Sequence, residues 1–154
     1  MSLASSPPLL ATLDSNVIVS GGTVSHMAPS QIIRGWRAGA VDFALCEAIL
    51  GEVQDVLARP YFADHVGWTQ ETIVAYVNEL RKGSLIVPAK TKVNVCRDPD
   101  DNMVFSCAME AQSDYIVSGD EDILDVGTFQ GIPTLPPAQF VEVMKRNKGR
   151  GKAA

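Results

Sequence analysis

A chain of 154 residues, 46% apolar and 20% charged, fits one compact domain that buries roughly 70% of the surface its unfolded form exposes, with no room for a second core. That balance excludes a disordered chain, and no apolar run nears the roughly 18 residues that suggest a transmembrane helix. No Lys or Arg precedes Arg34, so the basic start of a secretory signal is missing, and a cytoplasmic protein with no membrane partner is expected. The three cysteines, Cys46, Cys96 and Cys107, form no CxxC pair; they read as small buried hydrophobes, not as a disulfide or zinc framework.

The net charge of −5 conceals a partition. Lys145, Arg146, Lys148, Arg150 and Lys152 supply five of the 13 basic residues, so residues 1–144 hold eight bases against 18 acids. Five bases and no acid lie between Arg81 and Arg97, and nine acids and no base between Asp98 and Asp125. Carboxylates that converge repel one another unless protonated or bound to a cation, and a hard divalent ion is their natural companion.

The predicted elements alternate. Residues 1–9 are Ser/Pro-rich and read as a disordered N-terminal extension. A buried strand from Leu10 closes at Asp14 and passes into a turn. Pro29–Arg37 has helical spacing at Ile32, Ile33 and Trp36 and is stopped by Gly39. Ala40–Leu45 is a second strand, followed by an amphipathic helix over Cys46–Arg59 that ends before Pro60. A short helix over Pro60–Val66 precedes a longer one capped by Thr69 and ended by Gly83. Leu85–Val87 is a short strand. Asp98 is placed as the N-cap, with Pro99 at the first helical position, of a helix built on Val104, Phe105 and Ala108. Tyr115–Val117 is a buried strand, Glu121–Val126 a turn of helix, Gly131–Leu135 a last strand and Pro137–Arg146 a last helix. Residues 10–144 form the globular domain, and 145–154 a basic flexible tail. Strands alternating with crossover helices predict a three-layer α/β/α sandwich around a central parallel sheet.

Ligands of such sheets bind beyond the carboxyl ends of the strands, where chain order switches direction. Asp14 ends the first strand there and Asp120 follows the Tyr115–Val117 strand. Asp101 falls on the inward face at a helix N-terminus, and Glu52 borders the apolar stripe of its helix. Local uses exist for three of them: an Asx-turn for Asp14, a cap for Asp120 and a dipole-favoured first-turn site for Asp101. Glu52 has none. Asp98 reads mainly as a cap, and Asp100, Glu121, Asp122 and Asp125 mainly as solvated acids. Together the four acids predict one pocket for Mg²⁺ or Mn²⁺, an ion that polarises a phosphoryl oxygen and lowers the pKa of bound water. Phosphodiester hydrolysis is the reaction that needs this, with Ser15, Asn16 and Ser118 able to support it. The chain has two histidines, His26 and His65, and lacks GxSxG, GxxxxGK[ST] and GxGxxG, which disfavours serine hydrolase, zinc protease and nucleotide-binding readings.

Four stretches taken in order resemble the PIN-domain family: Leu13-Asp14-Ser15-Asn16-Val17-Ile18-Val19-Ser20; Glu52 within Ile49–Leu57 before Arg59-Pro60; Arg97-Asp98-Pro99-Asp100-Asp101-Asn102; and Ala111–Leu124 with its Ser-Gly-Asp-Glu-Asp-Ile-Leu segment. They are similar in particular to PIN toxins of prokaryotic toxin-antitoxin pairs. The resemblance covers about residues 10–143. It implies a ribonuclease selective for single strands, with Asp14, Glu52, Asp101 and Asp120 as catalytic acids holding Mg²⁺ or Mn²⁺. Asp98 also stands as a candidate for the third place. Ser15 and Ser118 occupy positions where many members carry Thr. A homodimer and a small antitoxin whose tail fills the cleft are further implications.

An acidic protein binds RNA well only if its bases gather on one side of the site. The Arg81–Arg97 segment, with Lys90, Lys92 and Arg97, and the basic tail are the candidates. Trp36, Tyr61, Phe62 and Trp68 can stack on unpaired bases or pack in the core, as the spacing of Trp36 favours. The competing reading is a non-catalytic Mg²⁺-binding interaction module of receiver-like or degenerate PIN type. No Lys lies between Lys92 and Lys145, which counts against a phospho-acceptor site.

Overall fold

The computed structural model describes residues 8–153, with side chains through residue 147; residues 1–7 of the expected extension and the tail side chains beyond 147 lie outside the described residues. Six strands form one sheet: β1 (Leu9–Leu13), β2 (Val41–Leu45), β3 (Leu85–Ile86), β4 (Tyr115–Val117), β5 (Thr128–Phe129) and β6 (Ile132–Leu135), in the order β3-β2-β1-β4-β6-β5. All neighbours are parallel except β5 and β6. The central strands are apolar at nearly every position because both faces are covered: Ala11, Leu13, Phe43, Leu45, Ile116 and Val117 are all buried. Thr12, the polar exception in β1, is satisfied by Ser113 Oγ at 2.8 Å.

Among the described residues there are eight α-helices: α1 (Ser15–Thr23), α2 (Ala28–Arg37), α3 (Glu47–Leu57), α4 (Pro60–His65), α5 (Gln70–Gly83), α6 (Asn102–Ala111), α7 (Glu121–Leu124) and α8 (Pro137–Ala153). α1 packs on α2 and α3, α2 on α8, and α3 on α5, whereas α6 lies against β1, β2 and β4. The chain moves outward from β1 to β3 and then returns across the sheet to β4. Right-handed crossovers in opposite directions place their helices on opposite faces, giving the expected α/β/α sandwich.

Three elements differ from the sequence reading. A helix, α1, follows β1 where a turn was expected, because Asp14 caps it by accepting the Ser15 N–H at 2.8 Å. Its apolar residues Val17, Ile18 and Val19 are buried, and packing overrides the weak helix propensity of β-branched side chains. β5 was not anticipated: it is a two-residue antiparallel edge joined to β6 through Gln130 and Gly131, both at positive φ. α8 continues past Arg146 to Ala153.

Trp36 belongs to the core, as its spacing indicates. It stacks on Phe43 with ring centroids 5.1 Å apart and donates its indole N–H to the Gly83 carbonyl at 3.1 Å. A Cβ at Gly83 would stand 2.6 Å from the indole, so the glycine that ends α5 also admits the ring. Trp68 packs edge-on against Tyr76, while Tyr61 is exposed and stacks on His65. All three thiols are free and buried. No helix among the described residues is long and apolar enough to cross a membrane. Phe43→Ala removes a fully buried ring from a central strand and is expected to lower the unfolding free energy by about 3–5 kcal/mol, measured by urea denaturation; a loss below 1 kcal/mol would contradict the packing described.

Candidate metal centre

Sheet order reverses between β1 and β4, the switch point at which open α/β sheets bind their ligands. The register pairs Leu13 with Val117, so the next residues, Asp14 and Ser118, emerge side by side. Ser118 donates its hydroxyl to Asp14 Oδ2 at 2.7 Å and accepts the Asp120 N–H at 3.0 Å. Asn16 donates to Asp14 Oδ2 at 3.1 Å and accepts from Gly119 N–H at 3.4 Å. Ser15 contributes its backbone N–H to Oδ1. Asp14 is thus 7% exposed with three donors. Burial raises its pKa, the bonds from Ser118 and Ser15 oppose that, and the Asp120 carboxylate reinforces it.

Asp101 arrives from another direction. Asp98 accepts the Asp100 N–H at 3.0 Å and caps a 3-10 turn, Pro99–Asp101, that runs into α6. One carboxylate oxygen from each of Asp101, Asp120 and Asp122 lies within 4.8 Å of the others. Asp101 makes no side-chain cap bond; burial, then Asp120, Asp14, Asp98 and Asp122, push its carboxyl up to about 6. Even the nearby Cys96 thiol, already raised by burial, is pushed further by Asp101 and Asp120, to about 11. None of the ion pairs among the described residues, Arg37–Glu79, Arg81–Glu47 and Lys145–Glu142, includes these acids.

The four predicted acids therefore occupy different positions. Asp101 and Asp120 converge. Asp14 stands outside their group but within reach of their field. Glu52 is exposed on α3 and lines a cavity of about 530 Å³ with Asp55 and Arg59, facing Pro99, Asp100 and Met103 across it; it borders the centre without joining the three. Asp98 is a cap. Asp122, read as solvated, is the unanticipated member. Asp120 accepts the Asp122 N–H at 2.9 Å, and this capped turn curls the second carboxylate back beside the first. The Asp-x-Asp spacing after a strand was the available signal.

Three partly exposed carboxylates without a cationic partner suit an oxygen-seeking divalent ion that keeps several waters. Asp101, Asp120 and Asp122 would hold it directly, with Asp14 adding negative charge behind them.

Of the five bases between Arg81 and Arg97, Arg81 is committed to a bidentate pair with Glu47 at 2.9 Å. Lys90, Lys92 and Arg97 line a separate cavity beside Pro99 and Asn102.

The raised Asp101 pKa carries a sign. Between its ordinary value of 3.8 and about 6, the folded metal-free chain holds a proton that the unfolded chain has released, so stability falls as pH rises through that window. Asp101→Asn is expected to raise the metal-free melting temperature at pH 7 and to lose that advantage as pH drops below the window. A variant-minus-wild-type difference independent of pH would contradict the electrostatic account.

Two comparisons bear on this geometry. An uncharacterized protein of the archaeon Methanocaldococcus jannaschii is 25% identical over 114 residues, covering 74% of this chain and 72% of its own. The sequence model of the family described as PIN domain matches residues 11–122, a span that runs from β1 through Asp14, Glu52 and Asp101 to Asp122. The chain therefore belongs to the PIN domain family, a nuclease-type fold whose members typically bind divalent metal through acidic residues.

Proposed function

We infer that the protein is a Mg²⁺- or Mn²⁺-dependent endoribonuclease that hydrolyses phosphodiester bonds of single-stranded or structured RNA. The observation that carries this reading is the convergence of Asp101, Asp120 and Asp122 beside the buried Asp14, at the sheet's switch point and without a cationic partner. A divalent ion bound there would polarise a phosphoryl oxygen and lower the pKa of a water. The chain's own groups do the rest. Asp14 keeps its orientation through Ser118, Asn16 and Ser15, and Ser118 ties it to the Asp120 backbone. Glu52 completes the acidic rim from α3, and Lys90, Lys92 and Arg97 counter the repulsion that four or five carboxylates exert on a polyanion.

Within this reading the protein is a cytoplasmic toxin of a toxin-antitoxin pair, restrained by a cognate antitoxin and acting as a homodimer. The resemblance to PIN toxins supports this.

Purified protein is expected to cut a labelled single-stranded RNA with Mn²⁺ and not with EDTA. Asp14→Asn and Asp101→Asn abolish cleavage, whereas Ser118→Ala, which removes the bonds that hold Asp14 and the Asp120 backbone, slows it by roughly 10–100-fold. Cleavage at the wild-type rate by both Asp variants would overturn the assignment; metal-dependent RNA binding without cleavage would favour a degenerate PIN module. Millimolar Mn²⁺ is also expected to raise the melting temperature, since a ligand of the folded state stabilises it by mass action; no shift would contradict a formed site.

A further inference from the structure

Residues 88–97, between β3 and the 3-10 turn, have no regular secondary structure, yet both ends are clamped to α6. At the start, Glu110 accepts from Ala89 N–H at 2.7 Å and from the Thr91 N–H and hydroxyl at 2.8 and 2.7 Å, while Ser106 donates to the Thr91 carbonyl at 2.7 Å. At the end, Asn102 Oδ1 accepts from Val95 N–H at 3.0 Å and Cys96 N–H at 2.9 Å, and the Cys96 thiol donates to the Asp122 carbonyl at 3.8 Å. Ala89 is held at φ 53, a left-handed conformation that an L-residue enters only at a cost. The segment is therefore a fixed arch, and between its clamps it leaves a cavity of about 510 Å³ against α6, within the roughly 300–1,000 Å³ of small-ligand sites.

The lining of this cavity has one sign of charge. Lys90, Lys92 and Arg97 contribute cations, Val93 and Met103 apolar surface and Asn94 an amide; no acid lines it, in a chain of net charge −5. Arg97 also lines a smaller cavity, about 270 Å³, with Asp122 and Asp125. The basic cavity thus adjoins the one bordered by Asp122 through Cys96 and Arg97, which line both.

We propose that the cavity under the 88–97 arch is a nucleotide subsite, taking one base-sugar-phosphate unit of a single-stranded RNA next to the phosphodiester held at the carboxylates. The proposal rests on the ribonuclease reading above. A base has a flat apolar face for Val93 and Met103 and edge groups for Asn94, and its flanking phosphates meet the cations. An acidic peptide offers the charge without the flat apolar face. Glu110 acts as a positioning residue, since it holds the arch without lining the cavity, whereas Asn102 lines the cavity with its Oδ1 already engaged by Val95 and Cys96.

The test uses the full chain and readouts that need no cleavage. In EDTA, uridine and adenosine 5′-monophosphates are expected to shift amide NMR resonances of residues 89–97 and 102–106, which inorganic phosphate or poly-glutamate does not reproduce. Lys90→Glu with Lys92→Glu is expected to weaken binding of a labelled RNA hexamer at least ten-fold and to flatten its salt dependence by about two phosphate contacts, while Mn²⁺ affinity and melting temperature stay unchanged. Equal shifts with inorganic phosphate or poly-glutamate, or unaltered RNA affinity in the double variant, would overturn the subsite. Wild-type protein that binds nucleotides under the arch but never cuts RNA would refute the nuclease reading and leave the subsite standing. Cleavage with an unchanged KM in the double variant would do the reverse.

Discussion

The centre depends on holding negative charge together against its own repulsion. Asp14 is buried at the junction of β1 and β4 and remains tolerable because its two oxygens receive three donors, from Ser15, Asn16 and Ser118. A carboxylate so placed is costly without partners, and each partner is also an anchor. Ser118 binds the Asp120 backbone and Asn16 binds Gly119, so the arrangement that makes Asp14 acceptable also sets where the chain after β4 turns. The capped turn at Asp120 then brings Asp122 into the group. Burial, joined by repulsion from the neighbouring acids, acts on Asp101, whose carboxyl is pushed up to about 6. A divalent ion would remove that residual penalty, which links metal affinity to folding.

Charge is separated in space as it is along the chain. Of the acids after Asp98, Asp101, Asp120 and Asp122 gather into one group, while others serve the backbone: Asp114 accepts the Leu10 N–H, and Glu110 pins the arch. Lys90, Lys92 and Arg97 sit on that arch. Asn102 joins the two halves, since it lies next to Asp101 and accepts from Val95 and Cys96. A polyanionic substrate at an acidic centre needs a neighbouring cationic surface, and the arch places one a few residues from the carboxylates without neutralising them.

Much of this was legible in one dimension. The alternation of short apolar runs with amphipathic stretches encodes a parallel sheet between helices, because buried strands must be apolar on both faces and crossover helices on one. Capping residues marked their own positions: Thr69 and Asp98 begin the helical turns at which they were placed. The strand-end acids Asp14 and Asp120 follow from the rule that ligands gather at strand carboxyl ends. The helix α1 was less legible, since Ser-Asn-Val-Ile-Val has poor helical propensity and is helical only because Asp14 caps it and α2 and α3 cover it. β5 was invisible because two residues carry no periodicity.

By itself the sequence determined the layer architecture, the acids available for chemistry and the sorting of bases before acids, for these depend on residue types and local spacing. Tertiary structure alone decided which carboxylates meet. Asp122 joins Asp101 and Asp120 because a cap folds it back, Glu52 remains on a neighbouring rim because α3 presents it to solvent, and Arg81 is drawn away to Glu47. Convergence is set by the strand register that joins Asp14 to Ser118 across 104 residues and by the turns that carry Asp101, Asp120 and Asp122, and Coulomb energy varies with distance in space rather than with sequence separation.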